Sequence, residues 1–234
     1  MLYKLTESNL NKDLFLSIFD MMTDKQLNTK GAVDLYNKSY HLFKQNISDS
    51  TLINEISFNY NWALAIKYLG QTNPDKAYPF VLEALRLQPE NTKTQTLLLE
   101  LLGQKADAIS QNANQFSTLH DSIMALYNNY PTLQINNLFV NLIYRMELAL
   151  TGHYFYTGNS AKGLRYKKKF EDFINQSGIK PSYNTKHLVE KNYSSISVYY
   201  FKHNSLSKAK GAITTALKYY PDSFNLQERL KSFY

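Results

Sequence analysis

Residues 58–91, FNYNWALAIKYLGQTNPDKAYPFVLEALRLQPEN, set two amphipathic helical patterns on either side of a short polar turn and close on Leu87-Gln88-Pro89. Few folds accommodate such a stretch, and the spacing of its apolar residues predicts a helical hairpin. Small residues stand at Ala65, Ala77 and Ala84, where two helix backbones need to approach closely, and Tyr68 and Val81 supply the bulk that fills the holes beside them. Pro89 ends the second helix, because it has no N–H to give and its ring clashes with the preceding turn. The same order returns at 190–223, with Tyr193, Ile196, Ser197 and Tyr200 followed by Ala209, Ile213, Ala216, Leu217 and a closing Pro221. Recurrence of the whole pattern makes chance a poor explanation of it.

In the order and spacing of these residues, both stretches resemble the tetratricopeptide repeat, a helical hairpin of about 34 residues. One position departs from the family: its bulky fourth residue falls on Asn61, and Trp62 comes one residue late. The resemblance implies an all-α fold, a tetratricopeptide-like α-solenoid of about five helical hairpins plus a C-terminal capping helix, forming a single domain over 1–234. Weaker units fit at 13–46, 92–131 and 133–176, and a cap at 224–234.

Taken in order, helical patterns are expected at 13–22 and 30–45, then a Ser- and Asp-rich link at 46–52 with an N-cap for the next helix. A helix from Thr92 is expected to reach Gly103, and a longer one over 106–130 carries Phe116, Leu119, Ile123, Leu126 and Tyr127 as a buried stripe before Pro131 stops it. The next helices are placed at 133–156 and 161–176. Gly163 occupies a small-residue position in the second of these, where Tyr166, Phe170, Phe173 and Ile174 share one face. Leu226 and Leu230, ringed by polar residues, mark the last stretch as the polar-faced cap that a solenoid needs.

The chemistry of catalysis is scarce. There is no phosphate-cradling GxxxxGK[ST] or GxGxxG and no GxSxG serine elbow, and the absence of cysteine excludes disulfides, thiolate metal sites and cysteine nucleophiles. Of His41, His120, His153, His187 and His203, only His187 has an acidic residue at helical spacing, Glu190, and a zinc site needs further ligands that no local spacing supplies. His120-Asp121 stands as a lone dipeptide. No enzymatic activity, no metal and no cofactor are therefore expected.

Charge is unevenly spread. Residues 1–159 hold 12 Lys/Arg against 14 Asp/Glu, a net of −2, whereas residues 160–234 hold 14 against 5, a net of +9, out of +7 for the chain. Such asymmetry points to an acidic partner, with ordinary solvation as the competing explanation. On the helix at 161–176, Lys162, Arg165, Lys168 and Lys169 fall on one arc beside the apolar face, while Lys167 lies apart. No run approaches the length of a membrane helix. A native start at Met1 would place the chain in the cytoplasm; as a piece of a longer protein it carries no such implication.

The resemblance also implies a groove lined by the first helix of each hairpin, commonly occupied by an extended peptide or a helix of a partner protein. Carried over by count, its lining is Asn59, Trp62 and Ile66 in the first clear repeat, Arg145, Leu148 and Tyr156 in the weaker repeat, and Lys191, Ser194, Val198 and Lys202 in the last. Family members that clamp chaperone tails hold a terminal carboxylate with Lys, and here Trp62 and Ser194 stand in that place, so such a tail is disfavoured. A protein-interaction module or adaptor is the leading expectation, and a basic helical-repeat protein binding nucleic acid or another polyanion is the alternative.

Overall fold

The computed structural model describes residues 31–234, and the helical pattern expected at 13–22 lies outside them. The described residues are all-α without a strand, and their helices pack in neighbouring pairs, as in a solenoid-like fold. Two compact units divide the chain, Met1–Lys105 and Ala106–Tyr234.

In the first unit the described helices are α1 (Ala32–Asn46), α2 (Ser50–Gly70), α3 (Pro74–Leu87) and the greater part of α4 (Thr92–Ile109). The link after α1 ends in the expected N-cap: the Asp49 carboxylate accepts from the N–H groups of Thr51 and Leu52. That cap starts α2 well before Phe58, where the repeat pattern begins, so the first helix is longer than the repeat alone implies. Asn73 caps α3 by accepting from the Lys76 N–H, and Pro74 occupies the first turn, where its missing donor costs nothing. Ala65, Ala77, Val81 and Ala84 are fully buried where α2 and α3 pack. Asn61 is buried too, and it satisfies its amide by donating to the Ser57 carbonyl at 2.7 Å. The preceding residue, Tyr60, stacks on Tyr40 of α1 with ring centroids 3.9 Å apart. Helix α4 runs through Gly103 instead of ending there. An interior glycine costs only about 1 kcal/mol, and the stronger signal lies further on, at the Asn112 cap of the next helix.

The second unit holds α5 (Ala113–Asn129), the short α6 (Pro131–Gln134), α7 (Asn137–Tyr156), α8 (Ser160–Ser177), α9 (Lys186–Lys202), α10 (Leu206–Tyr219) and α11 (Phe224–Lys231). The helix expected over 133–156 is split. Pro131 opens α6, and the Asn136 side chain then caps α7 by accepting from Leu138 and Phe139. Helix α7 packs against α5, α8 and α9, while α9 packs against α10 and α11. Gly163 on α8 marks the tightest crossing: a Cβ there would stand 2.5 Å from Cδ2 of Phe155 on α7. The α5 stripe of Phe116, Leu119, Ile123, Leu126 and Tyr127 is buried as its spacing predicts. In α11 only Leu226 is fully buried, and Gln227, Glu228 and Lys231 face solvent.

Candidate functional site

Helices α7 and α9 lie side by side in the second unit, joined at one point by a polar pin. Asn192 is buried, and its amide donates to the Leu148 carbonyl at 2.9 Å. Gly152 makes room for it, since a Cβ at that position would lie 2.8 Å from Asn192 Oδ1. The turn after α7 passes through Gly158 in the left-handed conformation, and Asn159 caps α8 through the Lys162 N–H. Beside the pin the two helices enclose an open groove of about 610 Å³. That volume falls within the range of ligand clefts. Its apolar wall comes from Phe155, Leu188, Val198 and Tyr199, with the Tyr199 ring set edge-on to Phe155 at 5.7 Å. Lys191 and Lys202 stand on its α9 side and His153 on its α7 side. No carboxylate of the described residues lines it.

Five residues that the repeat count assigns to the groove come together here: Leu148, Tyr156, Lys191, Val198 and Lys202. Leu148 is fully buried and lies beneath the cleft, whereas Tyr156 is 92% exposed at its mouth. Arg145 is exposed on α7 and Ser194 half-buried on α9, and neither reaches this cleft. Asn59, Trp62 and Ile66 belong to α2 of the first unit. Trp62 is half-buried, stacks on Phe58 and borders a separate shallow depression with Thr92, Lys93, Thr96, Leu97 and Glu100. Ile66 is 41% exposed and Asn59 half-buried. Counting did not find Gly152, His153, Leu188, Ser195 or Tyr199, although they stand three or four residues from groove positions that it did find, nor Phe155, two turns from Leu148. Extending each position by one helical turn would have reached the first five, and a second turn Phe155.

The four cations assigned to one arc of α8 differ in surroundings. Lys162 lies over the Tyr154 ring at 4.6 Å and Lys169 over Tyr166 at 4.8 Å, and these two rings stack on each other at 5.6 Å. Lys169 also approaches Asp121 at 4.0 Å. Arg165 and Lys168 are exposed and have no acidic partner among the described residues. Lys167, set apart as expected, pairs with Glu171 at 2.9 Å.

Glu190 is not free to join His187 in holding a metal. Its oxygens accept from Ser223 at 2.6 Å and Asn225 at 3.2 Å, and no group of three or more potential ligands exists among the described residues. His120, in contrast, is far from a lone dipeptide: it is buried against Glu147 of α7 at 3.3 Å. Burial pushes the Glu147 carboxyl above the usual carboxylate range, against the opposing pull of His120 and Lys169. No helix of the described residues is long and apolar enough to cross a membrane. Comparisons with protein-family models, with curated proteins and with solved structures find no match to the chain.

Proposed function

We propose that the chain is a protein-interaction module or adaptor, without catalysis of its own, that takes an extended peptide or a helix of a partner protein in the groove between α7 and α9. The observation that carries this reading is the groove itself: an open cleft between two first helices of successive pairs, apolar along Phe155, Leu188, Val198 and Tyr199. Its formal charges, Lys191 and Lys202, are both positive, which favours a partner segment bearing Asp or Glu around an apolar anchor. The likeness of 58–91 and 190–223 to tetratricopeptide repeats supports the same use.

The test is affinity capture from the native organism followed by binding measurements with the captured partner. Val198→Asp, or Lys191→Glu combined with Lys202→Glu, should weaken binding about tenfold or more while leaving the helical circular dichroism unchanged. Undiminished affinity in both variants refutes the groove as the docking site.

A second reading, binding of nucleic acid or another polyanion, draws on the two unpaired cations Arg165 and Lys168. Under that reading affinity falls steeply with salt, by a slope of about 0.9 per phosphate contact, and reversal of Arg165, Lys168 and Lys169 to Glu abolishes it. Competition by nucleic acid against the captured protein partner separates the two.

A further inference from the structure

His120 on α5 and Glu147 on α7 are each 2% exposed, and they meet as Nε2 and Oε1 at 3.3 Å. The other ring nitrogen, Nδ1, lies 3.2 Å from Oδ1 of Asp121, which is at the surface. One imidazole is therefore flanked by two carboxyl groups. The second oxygen of Glu147 is buried and has no hydrogen-bond partner. From α8 the pair is faced by Tyr166, edge-on to His120 at 6.2 Å, and by Lys169 and Asp172, whose charges act on Glu147 in opposite senses. Within α7, Tyr144 also feels the Glu147 charge, while Thr151 donates to the Glu147 backbone carbonyl and not to its carboxylate.

Counting hydrogens shows what this arrangement requires. With both carboxylates ionised and the imidazole neutral, two nitrogen–oxygen contacts share a single N–H, so one contact sets two acceptors against each other. One added proton repairs this. Carried by Glu147, it is donated to Nε2 while Nδ1–H donates to Asp121; carried by the ring, both nitrogens donate outward. Either way each contact becomes a hydrogen bond, and one of the two negative charges bordering the ring is cancelled. A buried carboxylate with an unpartnered oxygen gains most from that cancellation.

We propose that Asp121, His120 and Glu147 form a proton-operated clasp between α5 and α7, which binds one proton to close and loosens the attachment of α5 when that proton leaves. Burial displaces the Glu147 carboxyl upward. The folded state thus holds a proton that the unfolded chain releases, and stability from the clasp is fully present at acid pH and lost as pH rises.

Amide hydrogen exchange across α5, corrected for the intrinsic effect of pH, reads the clasp directly. In the unmodified chain, protection of residues 113–129 should fall several-fold from an acidic to an alkaline pH, while protection of α10 stays level. Glu147→Gln supplies an amide N–H to Nε2 without any proton from solvent, so its α5 should be as protected at the upper pH as the parent is at the lower one, with no pH dependence. Asp121→Asn alters only an exposed side chain and lets a neutral imidazole hydrogen-bond on both sides, so it should shrink the fall, burial of Glu147 sustaining what remains. Equal protection of α5 at both pH values in the parent overturns the proposal. So does a fall of undiminished size in Asp121→Asn, even where Glu147→Gln does not fold.

Discussion

Replacing Gly163 by alanine should destabilise the second unit, although the same change at an ordinary helical glycine stabilises. In a helix interior, Gly→Ala is worth roughly 0.5–1 kcal/mol, because alanine surrenders less backbone entropy on folding. At Gly163 the new Cβ would stand 2.5 and 2.7 Å from Cδ2 and Cε2 of Phe155 and 3.3 Å from the Thr151 carbonyl oxygen. Carbon atoms rest at about 3.5–4.0 Å, so the Phe155 ring must retreat by roughly 1 Å, while the Thr151 oxygen, being backbone in mid-helix, cannot follow. Overpacking of this kind costs about 1–3 kcal/mol. Set against the propensity gain, the net loss runs from near zero to about 2.5 kcal/mol. Gly211, in α10 of the same unit, is the control: nothing lies within 4 Å of a Cβ built there. Gly211→Ala should therefore gain up to about 1 kcal/mol. Propensity cancels between the two variants, so their difference isolates the steric cost. At about 2–4 °C per kcal/mol for a chain of this length, the melting temperatures should separate by roughly 2–12 °C, Gly211→Ala being the higher. Thermal melts followed by circular dichroism suffice. If both variants rise together, α7 and α8 do not cross as closely as the structure places them.

Leucine at Ala84 or Ala216, both fully buried at helix contacts, should cost about 1–3 kcal/mol each, and variants that melt like the parent would refute those contacts. Trp62, half-buried over Phe58 at a centroid distance of 6.3 Å, should show emission between the exposed and buried extremes and partial protection from soluble quenchers. A fully shielded indole would contradict its place beside an open depression.

The second helix of each pair was the legible part of the sequence. Helices α3 and α10 each face a partner on one side and solvent on the other, so apolar and small residues repeat at helical spacing; Ala77, Val81, Ala84 and Ala209, Ile213, Ala216 are all buried as that spacing predicts. First helices are a different case. Helix α7 is packed by α5, α8 and α9, and its buried residues, from Phe139 to Tyr154, cover more than half of its circumference, leaving an exposed strip at Leu138, Arg145, Ala149 and Tyr156. An element buried on several sides has no single apolar stripe, and periodicity cannot say which face meets which neighbour. For that reason the count passed over Gly152 and His153, which border the cleft. Likewise the His120–Glu147 pair joins residues distant in sequence, and spacing within one helix carries no trace of it. Helix starts were blurred for a simpler reason: Asp49, Asn112 and Asn136 cap through their side chains, but Ser, Asp and Asn occur throughout the links, and only the folded backbone selects among them.

The groove is held at its present width by the same atoms that pin α9 to α7, so perturbing the pin should change binding as well as stability. A Cβ at Gly152 would lie 2.8 Å from Asn192 Oδ1 and 3.7 Å from its Cγ. Asn192 cannot turn away without giving up its bond to the Leu148 carbonyl, worth about 1 kcal/mol, or up to about 3 where its own buried amide is left without a partner. Gly152→Ala in the parent should therefore destabilise by up to about 2.5 kcal/mol once the helix propensity of alanine is subtracted. Once Asn192 is itself cut back to alanine, the obstruction is gone. Gly152→Ala in the Asn192→Ala background should then be neutral or stabilising by up to about 1 kcal/mol, so the pair is strongly non-additive. Chemical denaturation of the four proteins measures the coupling, and additive effects would show that Gly152 is not there to admit Asn192. Where a partner segment occupies the groove, the same cycle read in binding free energy should carry a coupling of the same sign, because the contact that relieves the strain also sets the spacing of the two helices that the segment must span.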